Sequence, residues 1–206
     1  RAVTQMSEAF ASFLRSREDI AGIIGLGGSG NTTLVTRGMQ ALPVGIPKVM
    51  VSTVAAGDVA AYVGGSDICM LYSVTDVAGL NSISRVVLGN AAHALAGMLS
   101  WPVPRAAKAK PAAGLTMYGV TTPCVTQVRK HLEEDFDCLV FHATPMGRSS
   151  LEKLAASNLL AGVLDITTTQ VVVFSEGLAR AREGWFDAVS GARLPWVGSV
   201  GAQDMV

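Results

Sequence analysis

Residues 25–33 read Gly-Leu-Gly-Gly-Ser-Gly-Asn-Thr-Thr, with four glycines in the first six positions and polar side chains at Ser29, Asn31, Thr32 and Thr33. Glycines let a main chain turn sharply and approach a ligand with no Cβ in the way. Where such a run passes from a strand into a helix, the first N–H groups of the helix lack partners and sit at the positive end of its dipole. That is an anion site, suited to phosphate. The competing reading is a tight turn capped by Asn31 or Thr32 that holds nothing. The density of glycine favours a ligand, with Gly27, Gly28, Ser29, Gly30, Asn31 and Thr32 as candidate contacts.

The spacing Gly25-x-Gly27-x-x-Gly30 formally fits a dinucleotide fingerprint. That fingerprint expects an acid about 20 residues on, at the end of the second strand. The second strand ends at Ser52-Thr53, and no carboxylate follows before Asp58, which disfavours a nicotinamide cofactor. A Walker loop is also disfavoured, because Asn31 stands where its lysine would follow the last glycine. A phosphate loop that works through main-chain and hydroxyl groups remains.

Two further polar turns are expected at strand ends, Ser52-Thr53-Val54-Ala55-Ala56-Gly57 and Tyr72-Ser73-Val74-Thr75-Asp76. Ligands of open α/β sheets lie beyond the carboxyl ends of the strands. Ser52, Thr53, Ser73 and Val74 therefore join the glycine run as candidates around one crevice. Each turn alone is equally well read as a helix cap. Farther on, His142 and Asp165 are candidates for an acid/base pair and Arg148 for an anion contact. A structural histidine is the competing reading of His142. Cys124, at an expected helix start, is read as a packing residue.

The elements that must position these groups alternate. Strands are expected at residues 20–24, 47–52, 67–72, 114–118, 138–142, 162–166 and 194–199, and helices at 31–42, 81–98, 123–135 and 149–158. Strand–helix alternation implies parallel sheets. Residues 101–113 hold three prolines and three basic residues and read as a linker. The expected fold is α/β, two Rossmann-like units with mainly parallel sheets and helices on both faces. Residues 1–100 would form the nucleotide-binding unit, lacking an N-terminal segment, and 114–206 a second unit truncated at its C-terminus.

Composition narrows the classes. The 206 residues are 50% hydrophobic and only 16% charged, with sixteen basic and sixteen acidic side chains. A neutral balance argues against direct nucleic-acid or membrane-surface binding. The low charge suggests a large interface instead. Residues 86–104 and 111–128 carry no formal charge, but their Asn, His, Gln, Thr and Pro content does not fit a membrane span. Three cysteines without a CxxC pair suggest a reducing, cytoplasmic setting and no zinc site.

Several longer motifs belong together: 23–30 (Ile-Ile-Gly-Leu-Gly-Gly-Ser-Gly), 45–49 (Gly-Ile-Pro-Lys-Val), 52–55, 119–124 (Gly-Val-Thr-Thr-Pro-Cys), 141–144, 162–169 (Gly-Val-Leu-Asp-Ile-Thr-Thr-Thr) and 199–202. In these the chain closely resembles the family of the tomato mosaic virus resistance protein, over nearly its whole length. The resemblance implies a two-unit α/β protein that binds ATP with Mg2+, with contacts at Gly28, Ser29, Gly30, Asn31 and the Ser73-Val74 turn. It further implies a homodimer and a possible protein partner, which for the plant member is a viral replication protein. A preceding α/β segment with an aspartate-and-lysine turn would complete the site. Pro145 and Met146 interrupt the glycine-rich stretch that follows His142-Ala143-Thr144 in the family, and Gln170 replaces an acid after the threonine triplet. The expectation for function is a Mg-nucleotide binding protein in which ATP supports a conformation or a partner. The alternative is an enzyme for a small phosphorylated or carboxylated metabolite at a crevice between the units, using His142, Arg148 and Asp165.

Overall fold

Both sheets are parallel and flanked by helices on both faces, in a chain whose computed structural model describes residues 2–104, 109–169 and 187–204. The chain divides into two compact units, Arg1–Pro104 and Arg105–Val206.

In the first unit, α1 (Ala2–Arg15) precedes β1 (Ile23–Gly27), α2 (Ser29–Ala41), β2 (Lys48–Ser52), the single turn α3 (Ala60–Val63), β3 (Cys69–Tyr72) and α4 (Ser82–Ser100). The sheet order is β1-β2-β3. All of β2 is buried, as a central parallel strand covered on both faces should be. On one face Val35 and Met39 of α2 pack with Ile23, Met50 and Met70. On the other, Val87, Leu88, Ala91 and Leu95 of α4 pack with Val49, Val51 and Leu71. Asn81 starts α4 with a capping box: its Oδ1 accepts the Ile83 and Ser84 N–H groups, and Ser84 Oγ accepts the Asn81 N–H.

Lys48 begins β2 with its side chain wholly buried. Its Nζ donates to the Pro43 carbonyl (2.7 Å), the Ile46 carbonyl (2.8 Å) and Asp67 Oδ1 (2.7 Å), so all three protons are matched. Asp67 Oδ2 accepts the Gly45 N–H at 2.8 Å. This clasp ties the loop before β2 to the approach to β3, at the amino edge of the sheet. Lys48→Met keeps the apolar stem but leaves those acceptors without a donor. The expected loss is about 2–4 kcal/mol of stability, read as a lower urea midpoint at unchanged slope.

The second unit runs β4 (Ala112–Met117), a short 3-10 turn (Gly119–Thr121), α5 (Thr122–Leu132), β5 (Asp137–His142), α6 (Pro145–Ala156), β6 (Gly162–Thr167), α7 (Asp187–Gly191) and β7 (Trp196–Gly201). The sheet order is β5-β4-β6-β7. Leu151 and Ala155 of α6 and Val189 of α7 pack with Leu139, Phe141 and Val163 on one face. Val125 and Val128 of α5 pack with Leu115, Val140 and Ile166 on the other. Because β5 and β6 lie on opposite sides of β4, the order reverses there, and the β4/β6 carboxyl ends form a switch point.

Some boundaries differ from the sequence expectation. β1 lies three residues later than expected, because its register on the buried β2 runs from Ile23↔Lys48 to Gly27↔Ser52. Gly25 and Gly27 are thus strand residues, and Gly28 is the helix cap. Gly25 allows α2 to approach the sheet: a Cβ there would lie 2.5 Å from Val35 Cγ1 and 2.8 Å from Met50 Sδ. α6 starts at Pro145, four residues early, with Thr144 Oγ1 accepting the Gly147 N–H. Ala112 and Ala113, expected in the linker, belong to β4. The linker's Arg105 and Lys108, and Gln170, lie outside the described residues. Among the described residues no helix is long and apolar enough to cross a membrane.

Candidate functional site

The three strands of the first sheet end level with one another, through the pairs Gly27↔Ser52 and Ser52↔Tyr72. The pairing continues one step beyond the strands. Thr53 N–H donates to the Gly27 carbonyl (3.2 Å) and Ser73 N–H to the Ser52 carbonyl (3.1 Å). The turns after β1, β2 and β3 are therefore stitched along one edge, as expected.

At the first turn Gly27 has φ +149, and a Cβ on it would lie 2.6 Å from Asn31 Cβ. Only glycine fits there. Gly28 then caps α2 with no side-chain hydrogen bond, which rules out capping by Asn31 or Thr32. Those two lie inside the first turn of the helix. The Ser29, Gly30 and Asn31 N–H groups precede the first intrahelical bond, Thr32 N–H to the Gly28 carbonyl at 2.9 Å. All three residues are exposed.

The glycines at 28 and 30 differ from the one at 27. A Cβ on Gly28 would make only an ordinary contact, 3.6 Å from Thr53 Oγ1, and one on Gly30 would meet nothing within 4 Å. Packing therefore does not demand glycine at either position, and in a helix Gly30 is less favourable than alanine by about 1 kcal/mol. A side chain at Gly30 would enter open space, and one at Gly28 would have only Thr53 beside it.

The other expected residues divide into two groups. Thr32, Ser52 and Ser73 are buried. Thr32 Oγ1 donates to the Gly28 carbonyl (2.8 Å) and lies 2.6 Å from Ser52 Oγ, which accepts the Val54 N–H at 3.2 Å. Their role is to hold the turn rather than to face solvent. Ser73 Oγ donates to the Thr75 carbonyl and Thr75 N–H to the Ser73 carbonyl, both at 2.7 Å. That closes a three-residue turn around Val74, whose φ of 65 is strained for a β-branched residue. Val74 is 56% exposed at the strand edge. Thr53 is partly exposed beside Gly28. Asp58, the first carboxylate after β2, accepts the Ala60 N–H instead of reaching the strand end. No charged side chain occurs in residues 20–36, 49–57 or 68–75. Any anion at this edge would be held by main-chain dipoles and hydroxyls.

The second unit's candidates are arranged differently from the expected acid/base pair. Arg148 of α6 and Asp165 of β6 are buried and face each other, with Nη1 to Oδ2 at 3.2 Å and Nη2 to Oδ1 at 3.1 Å. Thr116 Oγ1 donates to Asp165 Oδ1 at 2.6 Å, and Arg148 Nη2 to the Thr167 carbonyl at 2.6 Å. Thr167 N–H returns to Thr116 Oγ1 at 3.0 Å, and Thr121 and Thr167 hydroxyls lie 2.7 Å apart. His142 is not part of this network. Side chains alternate along a strand, and its neighbours Val140 and Phe141 pack on the α5 and α6 faces respectively. The alternation sends His142 to the α5 face, away from Arg148 and Asp165. Its exposed ring meets Tyr118 edge-on, with centroids 5.1 Å apart. Thr116 was missed from sequence, although a threonine in the otherwise apolar run 113–117 was the available signal.

The three cysteines, Cys69, Cys124 and Cys138, are free. Burial, reinforced by Glu133, pushes the Cys138 thiol up, which favours its neutral form. Among the described residues no group of three or more His, Cys, Asp or Glu could hold a metal ion.

Comparison with known proteins places this geometry in a family. Residues 1–103 match the pattern described as "Uncharacterised protein family (UPF0261) N-terminal domain", and 110–206 the corresponding C-terminal domain. The chain belongs to the UPF0261 family. The glycine-rich turn lies in the UPF0261 N-terminal match and the Arg148–Asp165 pair in the C-terminal one. Relatives include a UPF0261 protein of Rhizobium meliloti, 58% identical over all of this chain and 52% of its own length. A UPF0261 protein of Clostridium tetani is 46% identical over 97% of this chain and 50% of its own length. The tomato (Solanum lycopersicum) protein named ToMV resistance protein Tm-1(GCR237) is 44% identical over the whole chain, which covers 28% of it. The chain thus spans about half the length of these bacterial relatives.

Proposed function

We propose that this UPF0261 chain binds a Mg-nucleotide, ATP, with its phosphates on the Ser29–Asn31 amides and its remaining atoms along the Thr53 and Ser73-Val74 turns. The observation that supports this reading most is the exposed start of α2, where the Ser29, Gly30 and Asn31 N–H groups precede the first intrahelical bond, beside two glycines that packing does not demand. The level strand ends add a second argument, since open α/β sheets take ligands beyond the carboxyl ends of their strands. Magnesium would enter on the phosphates, with phosphate and water oxygens as its main ligands.

Binding stabilises the form that binds, by mass action. The proposed role of ATP is accordingly to support a conformation, a homodimer or a protein partner, in the reducing setting of the cytoplasm. The enzyme alternative has less support, because two of its three candidate residues are occupied with each other and the third lies on the opposite sheet face. The test is calorimetric titration with Mg-ATP, followed by assay of the nucleotide after long incubation. Saturable binding with ATP unchanged is the expected result; no heat of binding would dismiss the reading. Ser29→Ala, which removes one exposed hydroxyl but no amide, is expected to weaken binding only a few-fold, the value of one hydrogen bond.

A further inference from the structure

A groove of about 520 Å³ lies between α1, α2 and α3 of the first unit. Its polar lining is mostly occupied. Ser7, Thr33 and Thr36 donate their hydroxyl protons to the Val3, Ser29 and Thr32 carbonyls of their own helices, at 2.8, 2.9 and 2.7 Å. Gln40 Nε2 donates to the Ala61 (3.3 Å) and Tyr62 (2.7 Å) carbonyls, which fixes α3 against α2 and gives the groove a rigid wall. The tight α1–α2 contact lies beyond the groove, where Phe10 and Leu14 close over Gly38.

Two charged side chains remain. Glu8 of α1 and Arg37 of α2 both line the groove, both are exposed, and neither makes an ion pair or hydrogen bond with any described residue. Opposite charges that line one groove without pairing offer complementary contacts to a ligand that carries both. We propose that this groove binds a small zwitterion of the α-amino acid type, its carboxylate on the Arg37 fork and its ammonium toward Glu8. The planar guanidinium suits a carboxylate geometrically. A dicarboxylate or inorganic phosphate would bring its surplus negative charge against Glu8, and a polyamine would bring positive charge against Arg37. The volume falls in the range of small-molecule pockets. The proposal is independent of the nucleotide reading, since it uses none of the groups at the strand ends except the outer flank of α2.

The test is saturation-transfer NMR of the protein with each free proteinogenic L-amino acid in turn. At least one is expected to bind saturably. Arg37→Ala and Glu8→Gln are each expected to weaken that binding by about tenfold or more, the value of a charge-assisted hydrogen bond. Arg37→Lys should retain part of the affinity. The N-acetylated and decarboxylated forms of the same amino acid should each bind more weakly than the parent. The proposal is overturned if no amino acid binds, or if binding survives in both Arg37→Ala and Glu8→Gln.

Discussion

Asp165→Ala is expected to lower the stability of the protein by about 3–5 kcal/mol, because it strands the buried Arg148 charge that Asp165 neutralises. Both carboxylate oxygens are engaged, and the side chains of Arg148 and Asp165 are 8% and 2% exposed, so water cannot replace the lost partner. The damage would spread, since Thr116 loses its acceptor and the latch between β4 and β6 loses its anchor. Replacing both partners by apolar residues, Arg148→Met with Asp165→Leu, should restore much of the loss, because no uncompensated charge remains. The measurement is urea unfolding of the single and double variants. A catalytic Asp165 in an open crevice would behave differently, its loss leaving stability almost unchanged. A midpoint for Asp165→Ala equal to that of the unmodified protein would return this residue to the list of catalytic candidates.

Gly28→Val is expected to weaken Mg-ATP binding by about a hundredfold or more while leaving the fold intact. The magnitude follows from losing two or three charge-assisted hydrogen bonds from main-chain N–H to phosphate. Gly28 has φ −82 and ψ −168, extended backbone that valine adopts readily, and its cap forms no side-chain bond that could be lost. A Cβ there makes only an ordinary contact with Thr53 Oγ1. The isopropyl group would instead fill the space in front of the Ser29–Asn31 amides. Gly30→Ala sharpens the test, because its two effects have opposite signs. Alanine should raise stability by up to about 1 kcal/mol through helix propensity, yet lower ATP affinity if the open space belongs to the ligand. Thermal unfolding and calorimetric titration separate the two.

Much of the architecture was legible because the signals were local. The buried run 47–52, the apolar positions of α4 and the strand–turn–helix sequence at 25–33 each fix an element without help from distant residues. What escaped was set by pairing across the fold. The position of β1 follows from its register on β2, which draws Gly25 and Gly27 into a strand despite their poor strand preference. The start of α6 was written in Thr144-Pro145, a helix cap and first-turn proline, although a helix was expected only from residue 149. The candidate site shows the same division. The exposed edge at Gly28–Asn31 was visible as a motif. That Thr32 and Ser52 turn inward to each other, and that Asp165 belongs to Arg148 rather than to His142, depends on which face each side chain takes. No periodicity in one strand supplies the partner in another.

The main-chain amides of Ser29, Gly30 and Asn31 are the groups to watch, and amide NMR of the isotopically labelled protein during Mg-ATP addition observes them one by one. Saturable shifts at these three resonances, reproduced in part by Mg-tripolyphosphate, are what a phosphate seated on the start of α2 requires. Resonances that stay fixed while ATP is raised to excess, or that leave the β1–α2 corner unmoved while others shift, would contradict it.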